Sequence, residues 1–272
     1  LGLKHFDPCT IMLNNELSAG GPGILEELQT QYVLPPLHAS GSVRRKSTHF
    51  QCYEDVSKRF GKLLGVDPWL INPMFATCNE VNLSQAAGMD TLLAKIKKKY
   101  KEYGINEKPF VVIKAGCSSV SGKGMGVLMV RSAKDLQEHK DLQVFIKAGS
   151  CQQTGDDATQ VLREVIVQEG VHTKERMNDA VAEPVVYMMD RYVVGGFYRV
   201  HADLGMADNL CAPGSSYVPL ALADGTELPQ PGLKPGASAP NRFYMYGVIA
   251  RLAMLAASYE LEATDPNAEV YE

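Results

Sequence analysis

Apolar residues recur along this chain at two spacings, one typical of strands and the other typical of helices. Short apolar runs predict strands at 10–13, 110–115, 126–130, 164–168, 184–189 and 192–200. Apolar positions three and four residues apart predict helices over 53–64, 89–103 and 243–263. Gly65 and Gly104 follow the first two helices and are suited to end them. The pattern therefore predicts a fold of the α/β to α+β class.

A polar segment after the second predicted helix divides the chain. Its 272 residues exceed the usual size of one compact domain. Gly104 and the run Asn106-Glu-Lys108 interrupt the apolar pattern, so we predict domains at 1–107 and 108–272. The sequence opens on Leu1 rather than Met and is strand-like at once, and we expect that an N-terminal portion is missing.

The run Pro109-Phe-Val-Val-Ile-Lys-Ala115 places a lysine near the end of a predicted strand. A turn with Gly122, Gly124 and Gly126 follows, and then a second apolar run begins. Alternate glycines let a backbone present N–H groups to an anion, so Lys114 and this turn are candidates for holding nucleotide phosphates. An ordinary hairpin with a flexible tip is the alternative. The spacing matches neither a P-loop nor a Rossmann fingerprint.

Further polar residues follow predicted strands in the second half of the chain. Gln168 and Glu169 end one strand and could contact a base and ribose hydroxyls, or simply form a polar strand edge. Arg199 could bind phosphate oxygens through its planar fork, and its alternative is an ion pair with Glu183. Asn209 could lie near the phosphates or a Mg²⁺ ion, or could only form a turn.

Composition narrows the function classes. A net charge of −4 and a pI near 5.9 argue against a nucleic-acid partner, and no apolar stretch approaches the length of a membrane helix. Six cysteines lie scattered without a C-x-x-C pair, and the six histidines lack metal-ligand spacing. This cysteine usage favours reduced thiols and a cytoplasmic location.

The order of these parts resembles an ATP-grasp domain, in which two α+β subdomains clamp ATP. The chain is also similar, over nearly its whole length, to the proteobacterial-type glutamate–cysteine ligase family. The runs that carry this second resemblance are Leu13-Asn-Asn-Glu-Leu-Ser18, Val33-Leu-Pro-Pro-Leu-His38, Arg44-Arg-Lys-Ser47, Leu64-Gly-Val-Asp-Pro-Trp-Leu-Ile-Asn-Pro73, Glu183-Pro-Val-Val-Tyr187, Arg191-Tyr-Val-Val-Gly-Gly-Phe-Tyr-Arg-Val-His201 and Ala239-Pro-Asn-Arg-Phe-Tyr244.

The resemblance implies an enzyme that makes γ-glutamylcysteine from glutamate, cysteine and ATP, the first step of glutathione synthesis. It implies a substrate-side α/β domain at 1–107 followed by an ATP-grasp-like nucleotide-binding domain at 108–272. Lys114 and Arg199 would neutralise the phosphates, and the amides around Gly122, Gly124 and Gly126 would close over them. Residues 115–126 depart from the family pattern, because acidic and tyrosine positions are absent and residues are inserted.

The resemblance also implies sites for Mg²⁺ and for the amino acids. Glu183 and Asn209 are the candidate magnesium ligands. Arg44, Arg45 and Lys46 are the candidates for the substrate carboxylates, with a solvated basic loop as their alternative. Two other functions stay open: a different ATP-grasp carboxylate–amine ligase, and a nucleotide-binding protein without turnover.

Overall fold

The structure is a computed structural model, and it describes residues 5, 8–13, 17, 21–28, 30–40, 44–79, 87–115, 127–140, 142, 145, 164–220 and 242–267. The strands are β1 (Thr10–Met12), β2 (Tyr32–Leu34), β3 (Phe75–Asn79), β4 (Val111–Ala115), β5 (Val127–Val130), β6 (Glu164–Glu169), β7 (Arg176–Met177), β8 (Ala180–Met189), β9 (Tyr192–His201) and β10 (Ser216–Pro219). The α-helices are α1 (Lys46–Leu64), α2 (Ala87–Glu102), α3 (Ala133–Gln137) and α4 (Arg242–Thr264), and short 3-10 turns lie at Gly23–Leu25, Leu37–Ala39 and Pro68–Leu70.

The helix ends follow from local chemistry. Gly65 and Gly104 adopt φ of 68° and 66° just after α1 and α2, a conformation that glycine takes without steric cost. Helix α1 begins at Lys46 rather than at residue 53. Its first turns contain Ser47, Thr48 and His49, so the apolar spacing that marks the rest of the helix is missing there.

The chain forms two compact units built from separate segments. The first comprises residues 1–50, 75–169 and 260–272, and the second comprises 51–74 and 170–259. The boundary predicted at residues 107 and 108 falls inside the first unit. The division into a substrate-side and a nucleotide-binding domain stays a prediction.

The first unit contains an antiparallel sheet in the order β3-β6-β4-β5. Helix α2 packs on β3 and β6 and buries Met89, Leu92, Leu93 and Ile96. Along β4, Val111, Ile113 and Ala115 are buried, whereas Val112 and Lys114 on the other face are partly exposed. This alternation fixes which β4 side chains can meet a ligand.

The second unit contains an antiparallel sheet in the order β10-β9-β8-β7. Its central hairpin, β8–β9, turns at Asp190, which has a φ of 53°. Ala182, Tyr198, Val200 and Leu220 form one core cluster, against which Phe243 and Tyr246 of α4 pack. A second cluster joins α1 and α4 through the buried residues Val56, Leu252 and Ala256.

The predicted mixed fold is confirmed: in the described part of the chain, helices accompany three separate sheets. Each predicted strand from 110 to 200 is present within a few residues of its expected bounds, as are the predicted helices at 89–103 and 243–263. The helix predicted at 53–64 is present but begins seven residues earlier, at Lys46. The glycine-rich turn with Gly122, Gly124 and Gly126 lies outside the described residues. None of the described helices combines the length and apolar character needed to cross a membrane.

Candidate active site

Lys114 and Gln168 meet on the partly exposed face of the first unit's sheet. In the β4–β6 register, Lys114 lies opposite Ile166 and Val112 lies opposite Gln168, so Lys114 and Gln168 are diagonal neighbours on one face. Lys114 Nζ donates a 2.5 Å hydrogen bond to Gln168 Oε1. The same ammonium lies 5.4 Å from the centre of the Phe50 ring, in cation–π range. A fixed positive charge is therefore presented at the end of β4, where the glycine-rich segment begins.

Glu169 does not join this pair. It follows Gln168 directly in β6, so its side chain points to the opposite face, and the residue is only 4% exposed. On that face the Glu169 carboxylate is close enough to Tyr100 of α2 to affect it. Burial raises the pKa of the Tyr100 hydroxyl, and the charges of Glu169 and Glu107 raise this pKa further. The two residues predicted together from the sequence are thus separated by the pleat.

Arg44, His49 and Glu260 form a second cluster in the first unit. Arg44 donates from Nε to Glu260 Oε1 and from Nη2 to Glu260 Oε2, both at 2.6 Å. His49 Nδ1 lies 2.9 Å from Glu260 Oε2 and 2.8 Å from Arg44 Nη2. If Nδ1 carries a proton it donates to the carboxylate, and if not it accepts from the guanidinium. The cluster joins the start of α1 to the end of α4.

The buried carboxylate of Glu260 is held in its charged form. Its side chain is 4% exposed, and burial, the largest single influence, acts to raise its pKa. The hydrogen bonds and charges of His49 and Arg44 together outweigh burial and lower the pKa to about 2. Glu260 therefore remains an anion across the physiological pH range and keeps Arg44 in place.

A cavity of about 250 Å³ adjoins this cluster. The 3-10 turn Leu37–Ala39, the start of α1 and the end of α4 supply its walls, which comprise His38, Ala39, Arg44, Arg45, Thr48, Glu260, Thr264 and Pro266. The predicted substrate residues Arg44 and Arg45 thus line one cavity. Its size suits a small molecule rather than a nucleotide.

Lys46 is not among the residues that line this cavity. Its Nζ donates a 2.9 Å hydrogen bond to the carbonyl oxygen of Ala115, directly after Lys114. The first turns of α1 therefore contact the end of β4 twice, through Lys46 and through Phe50. This links the cavity-lining segment to the strand end that bears Lys114.

The second unit holds the remaining predicted residues. Arg199 of β9 lies directly opposite Glu183 of β8, and Arg199 Nη1 donates a short hydrogen bond to Glu183 Oε1. The ion pair that sequence analysis offered as an alternative is thus present. Arg199 Nε is buried and has no hydrogen-bond partner among the described residues. A polar atom in that position is suited to bind a ligand oxygen.

Asn209 and His201 are engaged in local structure of the second unit. Asn209 Oδ1 accepts a 3.1 Å hydrogen bond from the amide of Cys211, as in an Asx turn. His201 Nδ1 accepts from the amide of Asp203, and His201 Nε2 lies 3.0 Å from the carbonyl oxygen of Pro213. An accepting Nδ1 assigns the proton to Nε2, which then donates to Pro213.

The residues predicted to hold Mg²⁺ offer the ion few protein ligands. Among the described residues, no group of three His, Cys, Asp or Glu side chains could hold a metal. Glu183 uses Oε1 for Arg199, and no other contact of its carboxylate is present among those residues. Magnesium commonly takes one or two carboxylates, with water and phosphate oxygens completing its shell. Oε2 of Glu183 could serve as one such ligand.

Comparison with known proteins decides the family. The profile of the glutamate–cysteine ligase (GshA) family matches residues 1–261. The chain belongs to the glutamate–cysteine ligase family. It is also similar to a provisionally assigned gamma-glutamylcysteine synthetase from Methylobacillus flagellatus KT, with 43% sequence identity and a TM-score of 0.78. That similarity covers 97% of this chain but spans only 61% of the other protein. None of the curated proteins matches the chain.

Family membership confirms the resemblance inferred from sequence motifs. Within this chain, the structure brings Lys114 together with Gln168, Arg44 together with Arg45, and Glu183 together with Arg199. Sequence reasoning missed Glu260 and His49. Glu260 carries no local signal of its role, because it lies 216 residues from Arg44 in the chain. His49 lay three residues from a predicted site residue and could have been included with it.

Proposed function

We propose that this chain catalyses the ATP-dependent joining of glutamate and cysteine to γ-glutamylcysteine, the first step of glutathione synthesis. The match to the glutamate–cysteine ligase family over residues 1–261 carries the proposal. The pairing of Lys114 with Gln168 at a strand end supports it, because a phosphate-binding charge is expected there. We also propose that the finer fold is ATP-grasp-like and that the protein is cytoplasmic. In the described part of the chain, Cys9 and Cys211 form no disulfide, which is consistent with a reducing compartment.

In this proposal, Lys114 neutralises ATP phosphate oxygens and Gln168 serves the nucleotide, whereas Glu169, buried on the opposite face of the sheet, has no part in the site. Gln168 holds the lysine side chain through its amide oxygen. The amides around Gly122, Gly124 and Gly126 would contribute N–H donors to the phosphates. Arg199 would add a second cation, with Glu183 opposite it limiting its side-chain freedom. Preorganised charges of this kind stabilise the charge that develops during phosphoryl transfer.

A magnesium ion would be held by Glu183, with Asn209 nearby, and would help to neutralise the phosphates. Glu183 is the better ligand of the two, since the Asn209 amide oxygen already accepts from Cys211. Arg44 and Arg45 would bind the substrate carboxylates in the cavity. Because Lys46 donates to Ala115, we assign it chiefly to positioning the strand end beside Lys114.

The proposed reaction has two steps. A γ-carboxylate oxygen of glutamate attacks the γ-phosphorus of ATP, a new P–O bond forms, and ADP leaves. The amine of cysteine then attacks the acyl carbon of the resulting γ-glutamyl phosphate. The C–O bond breaks, phosphate leaves and the amine loses a proton to solvent. The protein supplies positioning and charge stabilisation rather than covalent chemistry.

The experiment is ADP release from Mg-ATP with glutamate and cysteine, omitting each component in turn. We expect ADP and γ-glutamylcysteine only when all components are present. ADP formation that needs glutamate but accepts another amine equally well would contradict cysteine as the substrate. Binding of ATP without ADP formation, under every amine tested, would contradict the ligase activity of this chain.

A further inference from the structure

Glu260 is the most deeply buried charged group beside the cavity, and the proposed reaction leaves it without a role. We propose that Glu260 is a positioning residue that fixes the Arg44 guanidinium for a carboxylate of the amino-acid substrate. The cavity lined by Arg44 and Arg45 receives that carboxylate. This inference rests on the proposed function for the identity of the substrate, and it adds a residue that neither motif nor family match assigns.

The hydrogen bonds of Arg44 leave one part of its guanidinium available. Nε and Nη2 are engaged by Glu260 and His49. Nη1 makes no hydrogen bond to any described residue. A guanidinium has five N–H donors in a rigid plane. Holding Nε and Nη2 on a carboxylate therefore also fixes the directions of the two Nη1 donors.

Burial distinguishes the two partners. Both residues line the cavity, but the Glu260 side chain is only 4% exposed, whereas the Arg44 side chain is 41% exposed. The guanidinium therefore offers far more accessible surface to a ligand than the carboxylate that holds it. A rigid, half-exposed guanidinium is a preorganised site for a planar carboxylate, and preorganisation lowers the entropy lost on binding.

The charge and size of the cavity favour a small anion. Arg44 and Arg45 contribute two positive charges and Glu260 one negative charge, so the lining keeps a net positive charge. His38 Nε2 is buried and has no hydrogen-bond partner among the described residues, and His38 also lines the cavity. Glutamate carries two carboxylates and one ammonium, so its net negative charge complements this lining.

The experiment compares Glu260→Gln with the wild-type chain in steady-state kinetics. Glutamine keeps the size of the side chain but removes the negative charge that holds the Arg44 guanidinium in place. We expect the KM for glutamate to rise roughly 10-fold, while kcat and the KM for ATP change less than about 2-fold. Glu262→Gln is the matched control, because Glu262 lies on the exposed side of the same helix. It should behave as wild type.

A double variant tests whether Glu260 acts through Arg44. Arg44→Ala alone should raise the KM for glutamate at least as much as Glu260→Gln. Adding Glu260→Gln to Arg44→Ala should then raise it no further, because the group that Glu260 positions is already absent. A Glu260 that affected glutamate binding independently of Arg44 would instead give additive effects on this KM. Thermal denaturation of each variant measures how much of the protein is folded.

Two results overturn the inference: an unchanged KM for glutamate in Glu260→Gln, or a fall in kcat at unchanged KM. Titration calorimetry with glutamate, in the presence of ATP, separates the inference from the proposed function. If glutamate binds and Glu260→Gln weakens binding about 10-fold, the inference holds even without ADP formation. If turnover is normal but binding is insensitive to Glu260, the inference fails and the ligase function stands. Failure of the wild-type chain to bind glutamate also overturns the inference.

Discussion

Two arginine–glutamate pairs in this protein differ in how they are built. Arg199 and Glu183 lie directly opposite one another on neighbouring strands of a hairpin, 16 residues apart in the chain. Arg44 and Glu260 lie 216 residues apart, and His49 joins them. In the first pair, both side chains are partly exposed, at 22% and 33%, whereas in the second the carboxylate is almost fully buried. The same two residue types thus form a local cross-strand pair in one place and, in the other, a long-range pair around a buried carboxylate.

The largest effect should come from the hairpin pair if Arg199 binds phosphate. Arg199→Ala should lower the rate of ADP formation about 100-fold or more, because it removes a charge that stabilises phosphoryl transfer. The rate of ADP release at saturating substrate concentrations measures this loss. Arg191→Ala, at the turn of the same hairpin, is the matched control and should retain wild-type turnover. Near-normal activity of Arg199→Ala would reduce the pair to a structural contact.

The two pairs should differ in their contribution to folding. Arg44→Ala leaves the buried Glu260 carboxylate with His49 as its remaining partner in the cluster, and we expect a loss of about 2 kcal/mol in the free energy of unfolding. Arg199→Ala should cost about 1 kcal/mol or less, since its partner can be hydrated. Urea denaturation of both variants gives the comparison. Equal losses would show that burial of the carboxylate does not make the Arg44–Glu260 pair more stabilising than the Arg199–Glu183 pair.

Acid should weaken the Arg44–Glu260 pair over a defined range of pH. The pKa of Glu260 is about 2 in the folded chain against an ordinary value of 4.5. Its folded form binds the proton more weakly, so its contribution to stability is fully present above about pH 4.5 and is lost as pH falls towards 2. The difference in Tm between wild type and Glu260→Gln should therefore shrink between pH 6 and pH 3. A difference that stays constant over this range would contradict the assignment.

Of these substitutions, Lys46→Ala should have the smallest effect on catalysis and stability. Its ammonium donates to the carbonyl oxygen of Ala115, so its removal should cost about 1 kcal/mol of stability. We expect the KM for glutamate to stay within about 2-fold of wild type, in contrast to Arg44→Ala. Steady-state kinetics together with urea denaturation check both. A large rise in the KM for glutamate would return Lys46 to the substrate site.

The contrast between a local contact and a long-range contact also explains which features the sequence could predict. The β8–β9 hairpin is a local structure, so its turn and the possible Glu183–Arg199 pair follow from the pattern of apolar residues. The Lys114–Gln168 contact needs the register between β4 and β6, which apolar patterning does not supply. The Arg44–Glu260 contact depends on how α4 returns to the start of α1, and no short motif records that path. Gln168 and Glu169 are adjacent in the sequence, but adjacent strand residues face opposite sides of a sheet, so only Gln168 lies beside Lys114.

Isotope labelling tests most directly whether γ-glutamyl phosphate is the intermediate, because it follows oxygen from glutamate to phosphate. Glutamate labelled with ¹⁸O in its γ-carboxylate is incubated with Mg-ATP, cysteine and the chain, and the released phosphate is analysed by mass. If γ-glutamyl phosphate is the intermediate, each phosphate should carry one labelled oxygen, and γ-glutamylcysteine should form in equal amount. Unlabelled phosphate released together with ADP would contradict the account.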